Sequence, residues 1–224
     1  GFNLSSREET INSSYKWFPM TKGGEFRKWY GNLSYLVNWE DDGYEIRHFV
    51  YINGKQKSRP QNMAYYFREG ISWSAISSGD FAMRYVPKGC ISNAKGPMCF
   101  GDLNVLIPVL GIMNSVVVGN FLKYLAPTLD YSEGPIGKVP LAKIQDEACQ
   151  IVVQQVVTSC INHSKTDWNS YETSWDFAGL PLIRNYASGN TLEQSYESWK
   201  AECNERFYQL QANEEGLNLS LIHI

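Results

Sequence analysis

The feature that most restricts the fold is a single change of hydrophobic period along the chain. Over the first two thirds, large side chains fall in short alternating runs cut by Gly, Asp and Asn. From Ile144 the pattern becomes helical, with Ile144, Ala148, Ile151, Val152, Val156 and Cys160 on one predicted stripe of an amphipathic helix of about five turns. A second long helix follows a loop. Thr191 and Gln194 have the spacing of a capping box, and Leu192, Tyr196, Trp199, Cys203, Phe207 and Leu210 follow at steps of three and four. Such a stripe predicts a helix seated on its own domain. Strand-like segments first and helices second predict an α+β architecture, a mixed β-rich domain over residues 15–145 followed by a helical region over 146–218.

Within the β-rich part, residues 15–51 hold eleven of the 31 aromatic side chains. "SYLVNWEDDGYEI" predicts a strand, a turn at Asp41, Asp42 and Gly43 where positive φ is tolerated, and a return strand. "QNMAYYFREG" predicts a short helix closed by Gly70, and "ISWSAISSGDFAMRYVPKGCIS" resumes strand-like alternation. The most apolar stretch, "DLNVLIPVLGIMNSVVVGNFLKYL", is assigned to the core as a helix from about Leu103 to Met113 and a second helix after the break at Asn114 and Ser115. Residues 1–14 are polar and read as a connection to something upstream.

Composition narrows the function classes. At 224 residues and 43% hydrophobic content, the chain is able to bury a sizeable core. No apolar run is long enough for a bilayer crossing and the first residues lack a secretory pattern, so a cytoplasmic protein without membrane contact is expected. Five cysteines (Cys90, Cys99, Cys149, Cys160, Cys203) include no C-x-x-C pair, which predicts buried thiols in place of disulfides or zinc. The N-x-S/T triplets at Asn3, Asn12, Asn32, Asn162 and Asn218 are those expected by chance in a sequence of this composition.

Charge is uneven. Residues 15–100 carry twelve Lys/Arg against seven Asp/Glu, net +5, whereas residues 101–224 carry seven against fourteen, net −7. A basic front half points to a polyanionic partner. Catalytic motifs are missing: the sequence has no G-x-G-x-x-G turn, P-loop, G-x-S-x-G elbow or H-E-x-x-H pair, and His48, His163 and His223 are scattered. Asp41 and Asp42 read as turn residues. No catalytic, cofactor-binding or metal-binding residue is assigned.

The segment "KGGEFRKWYGN" reads best as a contact surface for double-stranded DNA. Lys22, Arg27 and Lys28 would meet phosphates, Gly23 and Gly24 would let the backbone approach, and Trp29 and Tyr30 would offer flat faces. The same residue types would also serve as core with the glycines turning a hairpin, and types alone do not separate the two. Arg59, Arg84, Lys88 and Lys95 extend the basic inventory, with Ser74 and Ser77 around Trp73 placed to reach bases or phosphates.

Long ordered segments carry a resemblance. "KWFPMTKGGEFRKWYGNLSYLVNWEDDG", "RPQNMAYYFREGISWSAISS", "LGIMNSVVVGNFLKYLAPTLDYSEGPIGKVPL" and "DWNSYETSWDF" resemble the C-terminal half of the PglX-type adenine-specific DNA methyltransferases of BREX phage-defence systems. "GIMNS" followed by "GPIGKVPL" is also similar to a TaqI-like specificity domain. The resemblance implies a full enzyme that transfers methyl from S-adenosylmethionine to the exocyclic amine of adenine after flipping the base. The chain lacks an Asn-Pro-Pro-Tyr-type motif and a glycine-rich cofactor motif. It is therefore expected to be a target-recognition fragment, inactive alone, with catalysis and S-adenosylmethionine in an upstream domain and residues 219–224 an atypical tail. The competing expectation is a protein-interaction module that docks other BREX proteins through its acidic helices.

Overall fold

The computed structural model describes residues 3–141, 147–187, 189 and 191–222. It has an α+β architecture in which small antiparallel sheets precede a helical C-terminal region. In order the elements are α1 (Glu8–Ile11), β1 (Trp17–Met20), β2 (Tyr35–Asn38), α2 (Glu40–Arg47), a 3-10 turn (Met63–Tyr65), β3 (Gly70–Trp73), β4 (Met83–Val86), β5 (Met98–Cys99), α3 (Leu103–Met113), α4 (Val116–Leu125), α5 (Glu133–Ile136), α6 (Glu147–Trp168), α7 (Pro181–Ala187) and α8 (Leu192–Ile222). One sheet is the β1–β2 pair and the other has the order β4-β3-β5.

The apolar stretch folds as its pattern predicts. Asp102 caps α3 by accepting from the Asn104 N–H at 2.8 Å, and Ser115 caps α4 by accepting from Val118 at 3.2 Å, so the break falls at Asn114 and Ser115. Asn114 is itself buried and grips β4: its amide oxygen accepts from the Met83 N–H at 2.8 Å while its Nδ2 donates to the Met83 carbonyl at 3.0 Å. This fastens the helical layer to the sheet. Gly111 lets α3 and α6 touch, because an added Cβ would lie 2.7 Å from the Cγ2 of Val157.

The buried face of α6 departs from the predicted stripe. Val153, Val157, Cys160, Ile161, Ser164 and Trp168 are buried, whereas Ile151 and Val152 are exposed and Ile144 lies outside the described residues. Doublets such as Val152-Val153 and Val156-Val157 make neighbouring faces equally apolar, so packing against α3 selects the face. On α8 the capping box forms, with the Gln194 N–H donating to Thr191 Oγ1 at 3.2 Å and the Thr191 N–H to Gln194 Oε1 at 2.9 Å. Its stripe divides. Leu210 and Leu217 pack on the core, but Leu192, Tyr196 and Phe207 are exposed.

Two local predictions are corrected. The Asp41, Asp42 and Gly43 turn does take positive φ (48°, 58° and 71°), yet the chain continues as a helical turn and not as a return strand. β2 pairs instead with β1, Met20 opposite Tyr35. Asp42 holds this turn through ion pairs to Arg7 and to Arg47, whose Nη1 lies at 2.6 Å. Residues 63–65 form only a 3-10 turn, and Gly70 opens β3 where a helix end was expected.

A single core runs from Trp29, Tyr30 and Ile71 through Leu110 and Val118 to Val157, Cys160 and Leu217. The front segment and the helical region therefore share one interior. A smaller cluster, with Phe18, Trp39, Tyr66, Phe67 and Ile91, sits beside it with edge-on aromatic contacts of 5.7 Å (Phe18–Phe67) and 5.3 Å (Trp39–Tyr66).

Candidate nucleic-acid interface

"KGGEFRKWYGN" is a seat for the C-terminal helices, and its expected role as an exposed DNA surface is corrected on that ground. Trp29 is 2% exposed and its indole N–H donates to Glu214 Oε1 of α8 at 2.7 Å. The other oxygen of that carboxylate takes Lys28 Nζ at 2.7 Å. Arg27 pairs with Asp167 at 3.1 Å and lies 5.1 Å from the Trp168 ring at the end of α6, and Tyr30 is buried. Burial pushes the Tyr30 phenol well above its ordinary value, with the Asp176 carboxylate adding to the shift. Trp29 takes φ 67°, which few residues other than glycine adopt, and is held there by its N–H to the Met83 carbonyl at 2.9 Å and by its carbonyl accepting from Tyr85 at 2.8 Å. Aromatic faces in this position meet protein and not bases.

The second expected group divides in the same way. Trp73 is buried with its N–H on the Tyr131 carbonyl at 2.7 Å, and Ser77 closes a local turn through Gly79. Arg84 is 3% exposed and donates to Ser74 Oγ at 3.1 Å and to the Arg27 carbonyl at 3.2 Å. Burial, reinforced by the charge of Arg27, lowers Arg84 to about 10, so it remains a cation at neutral pH and acts as a structural one. Ser74 also bonds both the N–H and the carbonyl of Gly24 at 3.1 Å. Gly23 is buried at φ 80°, where a Cβ would fall 2.6 Å from the Lys95 carbonyl. Lys88 reaches Glu69 at 4.0 Å.

The rest of the basic inventory is not tied up in this way. Among the described residues, Lys22, Lys55, Lys57, Arg59, Arg68 and Lys95 of the front part make no ion pair with a carboxylate, and Lys22, Arg59 and Lys95 are exposed. Arg59 lines a cleft of about 930 Å³ together with Gln61, Asn62, Tyr65, Ser92, Asn93 and Phe100. Arg68 stacks 5.3 Å from the Tyr65 ring, Lys95 follows Ala94 in the cleft wall, and Lys22 lies 4.3 Å from Tyr35, which pairs with the cleft residue Met20. Among the described residues the charged side chains of the cleft lining are Arg59 and Glu133; Arg59 can meet a phosphate, and the amide and aromatic groups beside it can meet base edges.

A hairpin that the sequence reading passed over leads straight into this wall. Phe49 to Lys57 fold back on themselves: the Tyr51 N–H donates to the Lys55 carbonyl at 2.8 Å, Lys57 to Phe49 at 2.8 Å and Gly54 to Tyr51 at 2.9 Å. Gly54 supplies φ 77° at the turn. Asn53-Gly54 after an apolar run, followed by Lys-x-Lys, was the available signal.

Among the described residues no group of three His, Cys, Asp or Glu side chains could hold a metal ion. Every strand pairing in the two sheets is antiparallel.

No protein-family model matches the chain. Two curated relatives align with nearly all of it. It is 40% identical over 224 residues to the adenine-specific methyltransferase PglX of Lacticaseibacillus casei (strain Zhang), an alignment covering 98% of this chain and 18% of that protein. It is 35% identical over 219 residues to the adenine-specific methyltransferase BrxX of Escherichia coli O9:H4 (strain HS), covering 96% of this chain and 17% of the relative. The chain is thus related along its length to adenine-specific methyltransferases. It is a PglX-type segment, spanning less than a fifth of the length of the relatives it matches. Among the described residues, no single helix is long and apolar enough to cross a membrane; α3 and α4 together pass by composition but meet at a 75° bend.

Proposed function

We propose that this segment is the DNA target-recognition part of a site-specific adenine methyltransferase of the BREX type, lying C-terminal to the domain that binds S-adenosylmethionine and carries out transfer. The observation that carries this reading is that Lys55 and Lys57 of the hairpin and Arg59 in the cleft that follows it make no ion pair among the described residues, while Lys16, Arg27, Lys28, Arg47 and Lys88 are used in ion pairs and Arg84 is buried. Phosphates are the partner that such a surface suits. The cleft supplies Gln61 and Asn62, amides whose donors and acceptors match base edges. The helical region acts as the frame: Glu214 and Asp167 hold the 27–30 segment, and that segment supports β4.

The test is the salt dependence of duplex binding. Replacing Lys55, Lys57 and Arg59 together by Ala removes three cations, so the log-log slope flattens by roughly 2 to 3, at about 0.9 per phosphate contact, and affinity falls across sequences. An unchanged slope in a folded variant would overturn the assignment of this surface.

A second reading rests on α8, where Leu192, Tyr196, Phe207 and Tyr208 stand exposed beside Glu193, Glu197 and Glu205. That face suits a protein partner, and it can coexist with DNA binding because it lies on a different element.

A further inference from the structure

The hairpin tip is built unlike an ordinary solvent loop. Phe49, Val50, Tyr51 and Ile52 are each 48% exposed or more, and Ile52 is 111% exposed, with no part of its side chain sheltered. Three half-exposed apolar side chains and a fully exposed Ile52 forgo much of the burial that normally places such residues in a core. The tip is nevertheless held in shape by the three cross-hairpin bonds, by Asn53 Oδ1 accepting from the Lys55 N–H at 3.1 Å, and by Lys57 Nζ lying 4.5 Å from the Phe49 ring and 5.0 Å from the Tyr51 ring. At its base Tyr44 and His48 stack at 4.1 Å. Of the cations in residues 46–60, Arg47 is paired with Asp42, whereas Lys55, Lys57 and Arg59 make no ion pair among the described residues, and the stretch contains no acidic residue. An exposed apolar tip followed at once by Lys55, Lys57 and Arg59 matches one occupant by charge and shape, the stacked bases of a duplex between its phosphates.

We infer that Ile52 enters the DNA as an apolar wedge, parting a base step while Lys55, Lys57 and Arg59 hold the flanking phosphates. This rests on the DNA-binding reading above and adds a mechanical role to it. A two-stranded ribbon is narrow enough for the major groove, and an aliphatic side chain pushed between base pairs unstacks and unwinds them. Parting the stack is a step that access to a base inside a duplex requires.

The experiment uses closed circular plasmid relaxed by a topoisomerase in the presence of the intact chain, with permanganate reactivity of thymines as a second readout of unstacking. Wild type is expected to lower the linking number in proportion to protein bound and to create reactive thymines. Ile52→Ala is expected to bind with the same salt slope and roughly 3- to 10-fold weaker affinity, the range of lost wedge contacts, while both signals fall by more than half. Ile52 touches no core residue, so the variant should melt at the wild-type temperature, which keeps the comparison clean.

Wild-type binding without unwinding, or unwinding unchanged in Ile52→Ala, overturns the wedge alone. An Ile52 that served to dock on another protein would give that first result. If the Lys55, Lys57 and Arg59 triple variant binds DNA like wild type, the DNA reading of the hairpin fails and the wedge with it.

Discussion

Replacing Glu214 tests whether the helical region holds the front segment as the geometry requires. Its carboxylate serves two partners at 2.7 Å, the Trp29 indole N–H and Lys28 Nζ. In Glu214→Ala the indole donor, within a core side chain 2% exposed, loses its acceptor, and a buried unsatisfied donor costs about 1–3 kcal/mol. The ion pair is partly screened, with side chains 23% and 30% exposed, and contributes about 0.5–1 kcal/mol. The sum is about 1.5–4 kcal/mol. Glu214→Gln keeps an oxygen acceptor for the indole and loses only the charge, so its cost is about 0.5–1 kcal/mol. At roughly 2–4 °C per kcal/mol for a chain of this size, the Ala variant melts about 3–16 °C lower and the Gln variant about 1–4 °C lower. Urea denaturation followed by tryptophan fluorescence reads the difference directly, provided that the m-values agree. If Gln proves as damaging as Ala, the indole bond is not what secures the helix. A loss below about 0.5 kcal/mol in Glu214→Ala would refute the clamp itself.

Replacing Arg27 and Lys28 by Ala lowers stability but leaves the salt slope of DNA binding unchanged, because both cations already face Asp167 and Glu214; a flattened slope would restore the segment as a phosphate contact. Gly111→Ala destabilises by about 1–3 kcal/mol through overlap with Val157, whereas Gly119→Ala, in open space on α4, stabilises by about 0.5–1 kcal/mol, and paired thermal melts check the opposite signs. Burial raises the Tyr30 and Tyr85 phenols above 10, and the Cys90 and Cys160 thiols from 9 up to about 12. Groups that hold protons more tightly when folded contribute stability that is complete below about pH 9 and is lost as pH rises toward 12, so urea midpoints should fall steadily over that window; a flat profile refutes it.

The sequence determined those elements whose signals are local. The break at Asn114 and Ser115, the two caps beside it and the Thr191 capping box are satisfied within three residues, so no distant contact is needed to choose them. Positive φ at Asp41, Asp42 and Gly43 was legible for the same reason. The Asn53-Gly54 hairpin was equally local and was missed because its aromatic approach resembled a core strand.

Tertiary structure decided the rest. Which of Val152 and Val153 faces the core depends on α3 meeting α6 at Gly111, a contact 46 residues away that leaves no trace in periodicity. The roles of the cations were likewise invisible, since Lys28 and Lys55 are the same residue type until Glu214, 186 residues along the chain, closes on one, while among the described residues no carboxylate pairs with the other. A charged or aromatic side chain serves as core or contact according to what packs against it. That packing is set by helices folding back from the far end of the chain.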